Sequence, residues 1–124
     1  MAAHPGGAPL LRRSSSPRAV NVSSGAGSHS HRAFGLRARD GAAASYGIRK
    51  AALNALTSTK ATELTDSGIL VNAVSPGLTP TWPGSGSIGA RPVGDSAPRV
   101  VWAATLPDGG STGGLFRARE PLPW

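Results

Sequence analysis

Tyr46 and Lys50 are the residues of this 124-residue chain whose types and spacing point most directly to chemistry. They open the segment Tyr46-Gly47-Ile48-Arg49-Lys50, which runs on into Ala51-Ala52-Leu53-Asn54-Ala55-Leu56. Positions four apart share one face of a helix, so a phenol hydroxyl and an ammonium are expected to meet there. A free phenol titrates near ~10, about three units too high for proton transfer at neutral pH, and each unit is worth about 1.4 kcal/mol. One cation roughly 4 Å away supplies about 4 kcal/mol at an effective dielectric of ~20, but only ~1 kcal/mol in open water. The pair therefore predicts acid–base work only inside a partly dry pocket. A solvated tyrosine lying on a lysine stem is the alternative that the same spacing allows.

The elements that must position the pair can be read on either side of it. Upstream, Arg18-Ala19-Val20-Asn21-Val22-Ser23-Ser24 is a short apolar run, bounded by Pro17, that predicts a strand over 18–24 ending in two serines. A long loop is expected over 25–45. The helix is expected from about Tyr46 to Thr65, with Leu53, Leu56 and Leu64 on its buried side and alanines 51, 52 and 55 allowing close packing. Gly68 is placed to adopt a left-handed cap. Ile69 to Val74 is nearly continuously apolar, as suits a parallel strand buried on both faces. Strand, crossover helix and strand make one right-handed βαβ unit.

Past Pro76-Gly77 the chain turns Gly- and Pro-rich through Pro92, which reads as a mobile lid over 76–92. Ser96 is expected to cap a last helix over 99–106, with Pro98 near its first position. At the other end, residues 1–9 read as a disordered tail, followed by Leu10 to Ser14 as the closing turn of a helix.

Other candidates are weaker. His29 and His31 stand two apart with no acidic residue before Asp40, so they read as solvated side chains and not as metal ligands. Gly25-Ala26-Gly27 invites a dinucleotide-fingerprint reading, but position 30 is Ser and no apolar helix follows directly, so that reading is rejected. Cysteine is absent, which excludes a disulfide framework and thiolate metal sites. No run approaches the ~20 apolar residues of a membrane span. With no signal-peptide pattern at Met1 to Leu11, the expectation is a cytoplasmic protein. The net charge of +7 sits in residues 1–50, where eight Lys and Arg face Asp40 alone. These charges are scattered without interleaved aromatics, so nucleic acid is not expected as a partner.

The order of strand, serine, helix with Tyr and Lys, strand and Pro-Gly resembles the carboxyl-terminal half of the short-chain dehydrogenase/reductase family, in its carbonyl-reductase-like branch. The resemblance runs from about residue 10 to 124; Thr112 to Phe116 resembles the family's last strand, and the Pro-Leu-Pro-Trp ending belongs to it. It implies an α/β fold, a truncated Rossmann-type doubly wound parallel sheet with about three of seven strands, and an NAD(P)-dependent oxidoreductase acting on a carbonyl or alcohol. By resemblance, Tyr46 is the general acid/base, and Lys50 tunes it and binds the nicotinamide ribose. Ser24, with Ser23 as rival, orients the substrate oxygen. Pro76 and Gly77 lie beside the nicotinamide, and Thr81 (or Thr79) touches its carboxamide or pyrophosphate. Tyr46 follows Ser24 by 22 positions, longer than the commonest family spacing.

The family's Gly-rich pyrophosphate loop, its Asn-Asn-Ala-Gly segment and its catalytic asparagine have no counterpart in these residues. NAD or NADP is thus implied as cofactor while most of its binding half is missing. The expectation is an inactive chain when alone, or a non-catalytic fragment that pairs with a full-length relative through helix 46–66 as a homo- or hetero-oligomer.

Overall fold

The protein is described from a computed structural model, over residues 7–37, 44–77 and 93–124. Its frame is a sheet of order β1-β2-β3-β4, made of β1 (Arg18–Val22), β2 (Leu70–Ser75), β3 (Leu115–Arg117) and β4 (Glu120–Pro121). The first three strands are parallel, with Arg18 opposite Leu70 and Ala73 opposite Leu115. β4 turns back antiparallel to β3. All six residues of β2 are buried, as its apolar composition requires of a central parallel strand.

Helices cover both faces. α1 (Gly7–Arg12) leads into β1, α2 (Ala44–Glu63) joins β1 to β2, and α3 (Val93–Ala104) precedes β3. Alternation along β1 assigns the faces. Asn21 and Ser23 reach Thr57 and Asn54 of α2, whereas Arg18 reaches the Leu106 carbonyl just past α3 and pairs with Asp108 at 2.7 Å. Beneath α2, Ala61, Ile69 and Val71 form a core that Leu11, Ala19 and Leu64 close over. On the other side Trp102 meets Phe116 edge to face at 5.1 Å. After α2, a short 3-10 turn (Thr65–Ser67) ends at Gly68 with φ of 73°, the left-handed cap its sequence position predicts. Among the described residues no helix is long and apolar enough to cross a membrane.

Several boundaries differ from expectation. α1 takes in residues 7–9, which the composition assigns to the tail. β1 stops at Val22, so both serines lie beyond it. α3 begins at Val93 instead of Arg99, which makes Pro98 its sixth residue and Ser96 an interior, buried one instead of a cap. Pro98 sits inside the helix, where it forfeits the bond its nitrogen would make to the Gly94 carbonyl and sets its ring against that carbonyl. The last parallel strand is Leu115–Arg117, later than 112–116. The β3–β4 hairpin was not foreseen, because its turn is Ala118-Arg119, both at positive φ (50° and 69°), in place of the usual Asn-Gly. Left-handed backbone costs a non-glycine residue about 1–2 kcal/mol. Ala118→Asn with Arg119→Gly should therefore raise stability by about 1 kcal/mol in urea unfolding.

Candidate active site

Ser23 and Ser24 leave the carboxyl end of β1 with opposite fates. Ser23 is 4% exposed and donates its hydroxyl to Asn54 Oδ1 of α2 at 2.5 Å. Ser24 is half-buried, with extended backbone, and its Oγ accepts the Ala26 N–H at 3.1 Å, capping a 3-10 turn over Gly25–Gly27. That bond uses an oxygen lone pair and leaves the Ser24 O–H to donate.

The turn is pressed against the start of α2. A Cβ on Gly27 would lie 2.6 Å from both the Ala51 nitrogen and the Lys50 carbonyl carbon, and one on Gly47 would lie 2.9 Å from the Ala26 oxygen. On its outer side the turn carries Phe34, whose ring would be 2.2 Å from a Cβ on Gly25. His31 stacks on that ring at 3.6 Å and Arg117 lies 4.7 Å from its centre. The glycines at 25 and 27 therefore serve close packing. Their open sides are filled by protein and offer no cradle to a phosphate, which gives the rejected fingerprint its physical reason.

Tyr46 and Lys50 stand on the first two turns of α2, beside this turn. Lys50 Nζ lies 5.7 Å from the Tyr46 ring centre and Arg49 Cζ lies 5.8 Å from it, so two cations flank one phenol within cation–π range. The expected hydroxyl–ammonium contact is not formed. Lys50 instead donates to the Val22 carbonyl at 3.2 Å, and Tyr46 is 40% exposed. Helical spacing puts both residues on one face. It cannot foresee that a strand-end carbonyl competes for the ammonium, or that the pocket around the phenol stays open.

Pro76 and Gly77 follow β2 at the same end of the sheet. Ser75 Oγ accepts the Gly25 N–H at 3.1 Å, tying the end of β2 to the serine turn, and Arg99 of α3 reaches the Pro76 carbonyl at 3.3 Å. Gly77 has a φ of 87°. Ser24, Tyr46, Lys50, Pro76 and Gly77 thus gather at the carboxyl ends of parallel strands, where open α/β sheets bind ligands. Thr79, Thr81 and the remainder of the lid lie outside the described residues.

Asn54 and Ser75 are additions that the sequence did not single out. Asn54 carries the one signal available, since it falls four positions after Lys50 on the same face. Its Oδ1 holds Ser23, while its buried Nδ2 finds no partner among the described residues. Ser23→Ala would leave Oδ1 unpartnered as well, at about 1–3 kcal/mol in chemical unfolding, whereas Ser23→Ala with Asn54→Leu should recover most of the loss.

The family model described as Enoyl-(Acyl carrier protein) reductase matches residues 10–101. No curated protein sequence matches the chain. Among solved structures, the carbonyl reductase Sniffer of D. melanogaster superposes with a TM-score of 0.73 at 25% identity, over 94% of this chain and 49% of its own. The NADPH-bound carbonyl reductase from chicken fatty liver gives 0.66 at 25% identity, over 86% of this chain and 42% of its own. The Pseudomonas aeruginosa RhlG/NADP active-site complex gives 0.58 at 27% identity, over 90% and 48%. The chain spans about half the length of the structures it matches.

Proposed function

The chain belongs to the short-chain dehydrogenase/reductase family, and from that premise we propose that it carries the proton-transfer half of an NAD(P)-dependent carbonyl reductase site. The observation that carries this reading is the gathering of Ser24, Tyr46, Lys50 and Pro76-Gly77 at one end of the parallel strands, on a turn packed into α2. Ser24 donates its uncommitted O–H to the substrate oxygen and fixes its position; Ser23, already spent on Asn54, is unsuited to that role. Tyr46 gives its phenolic proton to the same oxygen as charge develops there. Lys50, whose ammonium lies beside the Tyr46 ring, steadies the resulting phenolate and reaches the ribose. Pro76 and Gly77, and Thr81 with them, would hold the nicotinamide. NAD(P), when bound, supplies the hydride to the carbonyl carbon.

The residues present fit the nicotinamide end of such a cofactor only. The Gly25–Gly27 turn offers no room for a pyrophosphate, since Phe34 and the start of α2 fill the space above these glycines. We therefore read the chain as inactive by itself, with a small carbonyl or alcohol compound as substrate once the sheet is completed, and with the cytoplasm as its compartment. Its alternative role is that of a non-catalytic fragment pairing with a longer relative through α2, whose exposed face carries Ile48, Ala52 and Ala55.

The test is a single-chain fusion in which the part of the Drosophila carbonyl reductase that this chain does not match precedes residue 10. NADPH-dependent reduction of a carbonyl by the fusion, absent from the isolated chain, is the expected result. A folded fusion that binds NADPH without reducing any carbonyl would overturn the reading.

A further inference from the structure

Charge is spread unevenly between the two ends of the sheet. At the amino ends of the strands acids and bases pair: Arg18 holds Asp108 at 2.7 Å and Lys60 holds Glu63 at 2.8 Å. Arg32, Arg49, Lys50, Arg99 and Arg117 stand at the carboxyl ends, where the candidate site lies. The acidic side chains described at that end are Asp95 and Glu120, and neither forms a salt bridge among the described residues. A rim of one sign of charge concentrates ligands of the opposite sign.

Within this group Arg49 is the cation left open beside the phenol. It follows Tyr46 by three positions, so the two share one face of α2, and its Cζ lies 5.8 Å from the Tyr46 ring centre. Lys50 flanks the same ring but donates to the Val22 carbonyl, Arg99 reaches the Pro76 carbonyl, and Arg117 lies over Phe34. Arg49 is exposed and makes no hydrogen bond or ion pair among the described residues. Its N–H groups form a planar fork that matches both oxygens of a carboxylate, which an ammonium cannot do.

We infer that Arg49 is the specificity-determining residue of the candidate site, and that the site takes short oxo acids, carbonyl compounds with a carboxylate close to the reacting carbonyl. The guanidinium grips the carboxylate while Ser24 and Tyr46 take the carbonyl oxygen, so one anion fixes which part of the molecule meets the phenol. A neutral ketone has no such hold and leaves the fork in water. The inference names a substrate class for the carbonyl reductase reading above and rests on that reading; its test reads binding apart from turnover, so that the two can fail separately.

Tyr46 is the sole tyrosine of the chain, so ring-labelled tyrosine gives one set of NMR signals, placed at the site. The isolated chain is titrated with pyruvate, with methyl pyruvate as its uncharged counterpart, and with inorganic phosphate. Pyruvate should shift the Tyr46 signals with a Kd about fivefold or more below that of the ester, as suits one exposed charge-assisted contact, and phosphate should move them less. Arg49→Gln should bring acid and ester within about twofold of each other, and Arg49→Lys should keep part of the preference. Arg32→Gln, which removes an exposed charge from the same end, should keep all of it. In the single-chain fusion, Arg49→Gln should raise KM for pyruvate about fivefold with the smaller change in kcat. Absence of a shift with pyruvate, equal binding of acid and ester, a phosphate shift as large as that of pyruvate, or a preference that survives Arg49→Gln or is lost equally in Arg32→Gln would overturn the inference. A fusion without turnover, in a chain that still prefers pyruvate through Arg49, would overturn the carbonyl reductase reading and uphold Arg49 as the oxo-acid anchor.

Discussion

Replacing Gly27 by alanine should cost the protein about 3 kcal/mol, roughly 10 °C in Tm, although the change adds one methyl group. The methyl would sit 2.6 Å from two backbone atoms of α2, at Lys50 and Ala51. Backbone inside a helix cannot step aside as a flexible side chain can, so the whole serine turn must lift off the helix. Lifting it also strains the Ser75–Gly25 bond and the packing of Phe34 against Gly25, because both hang on the same turn. Gly94→Ala is the matching control. Nothing lies within 4 Å of that Cβ, and in a helix the alanine should be neutral or stabilising by up to about 1 kcal/mol. Equal effects of the two substitutions in a thermal melt would show that the turn is not seated on α2 as described.

The second large effect concerns Tyr46. In the single-chain fusion, Tyr46→Phe removes the proton donor and little else, since the hydroxyl makes no hydrogen bond among the described residues. General acid–base catalysis contributes about 10²–10⁴-fold, so kcat should fall by that order with KM nearly unchanged. Ser24→Ala should lower kcat by a similar order, because the substrate oxygen loses the donor that positions it. Ser23→Ala should act through stability and leave kcat almost intact, since its hydroxyl is turned away toward Asn54. Steady-state kinetics on the three variants separate these roles. Similar losses for both serines would contradict the assignment of Ser24.

Much of the frame was legible because its signals are periodic. Ile69 to Val74 reads as a buried strand without further help, whereas the inner side of α2 is lined by Gly47, Asn54, Thr57 and Ala61 and leaves the expected Leu53 and Leu56 only half-buried. What escaped depends on contacts between distant residues. The Gly25-Ala26-Gly27 spacing is visible, but only the fold shows that the space above these glycines belongs to α2 and Phe34. The hairpin escaped because Ala118-Arg119 adopts a turn that its side chains disfavour. The early start of α3 was hidden by Pro98, which usually marks a first turn. The pairing of Tyr46 with Lys50 follows from spacing, yet the choice of acceptor was settled by the Val22 carbonyl at the end of a neighbouring strand.

The most direct test of the central claim, that this chain holds the proton-transfer part of the site without the cofactor-holding part, is a parallel NADPH titration of the isolated chain and the single-chain fusion, followed by nicotinamide fluorescence. The prediction is saturable enhancement for the fusion and none for the isolated chain through the micromolar range. Micromolar binding by the isolated chain would contradict it.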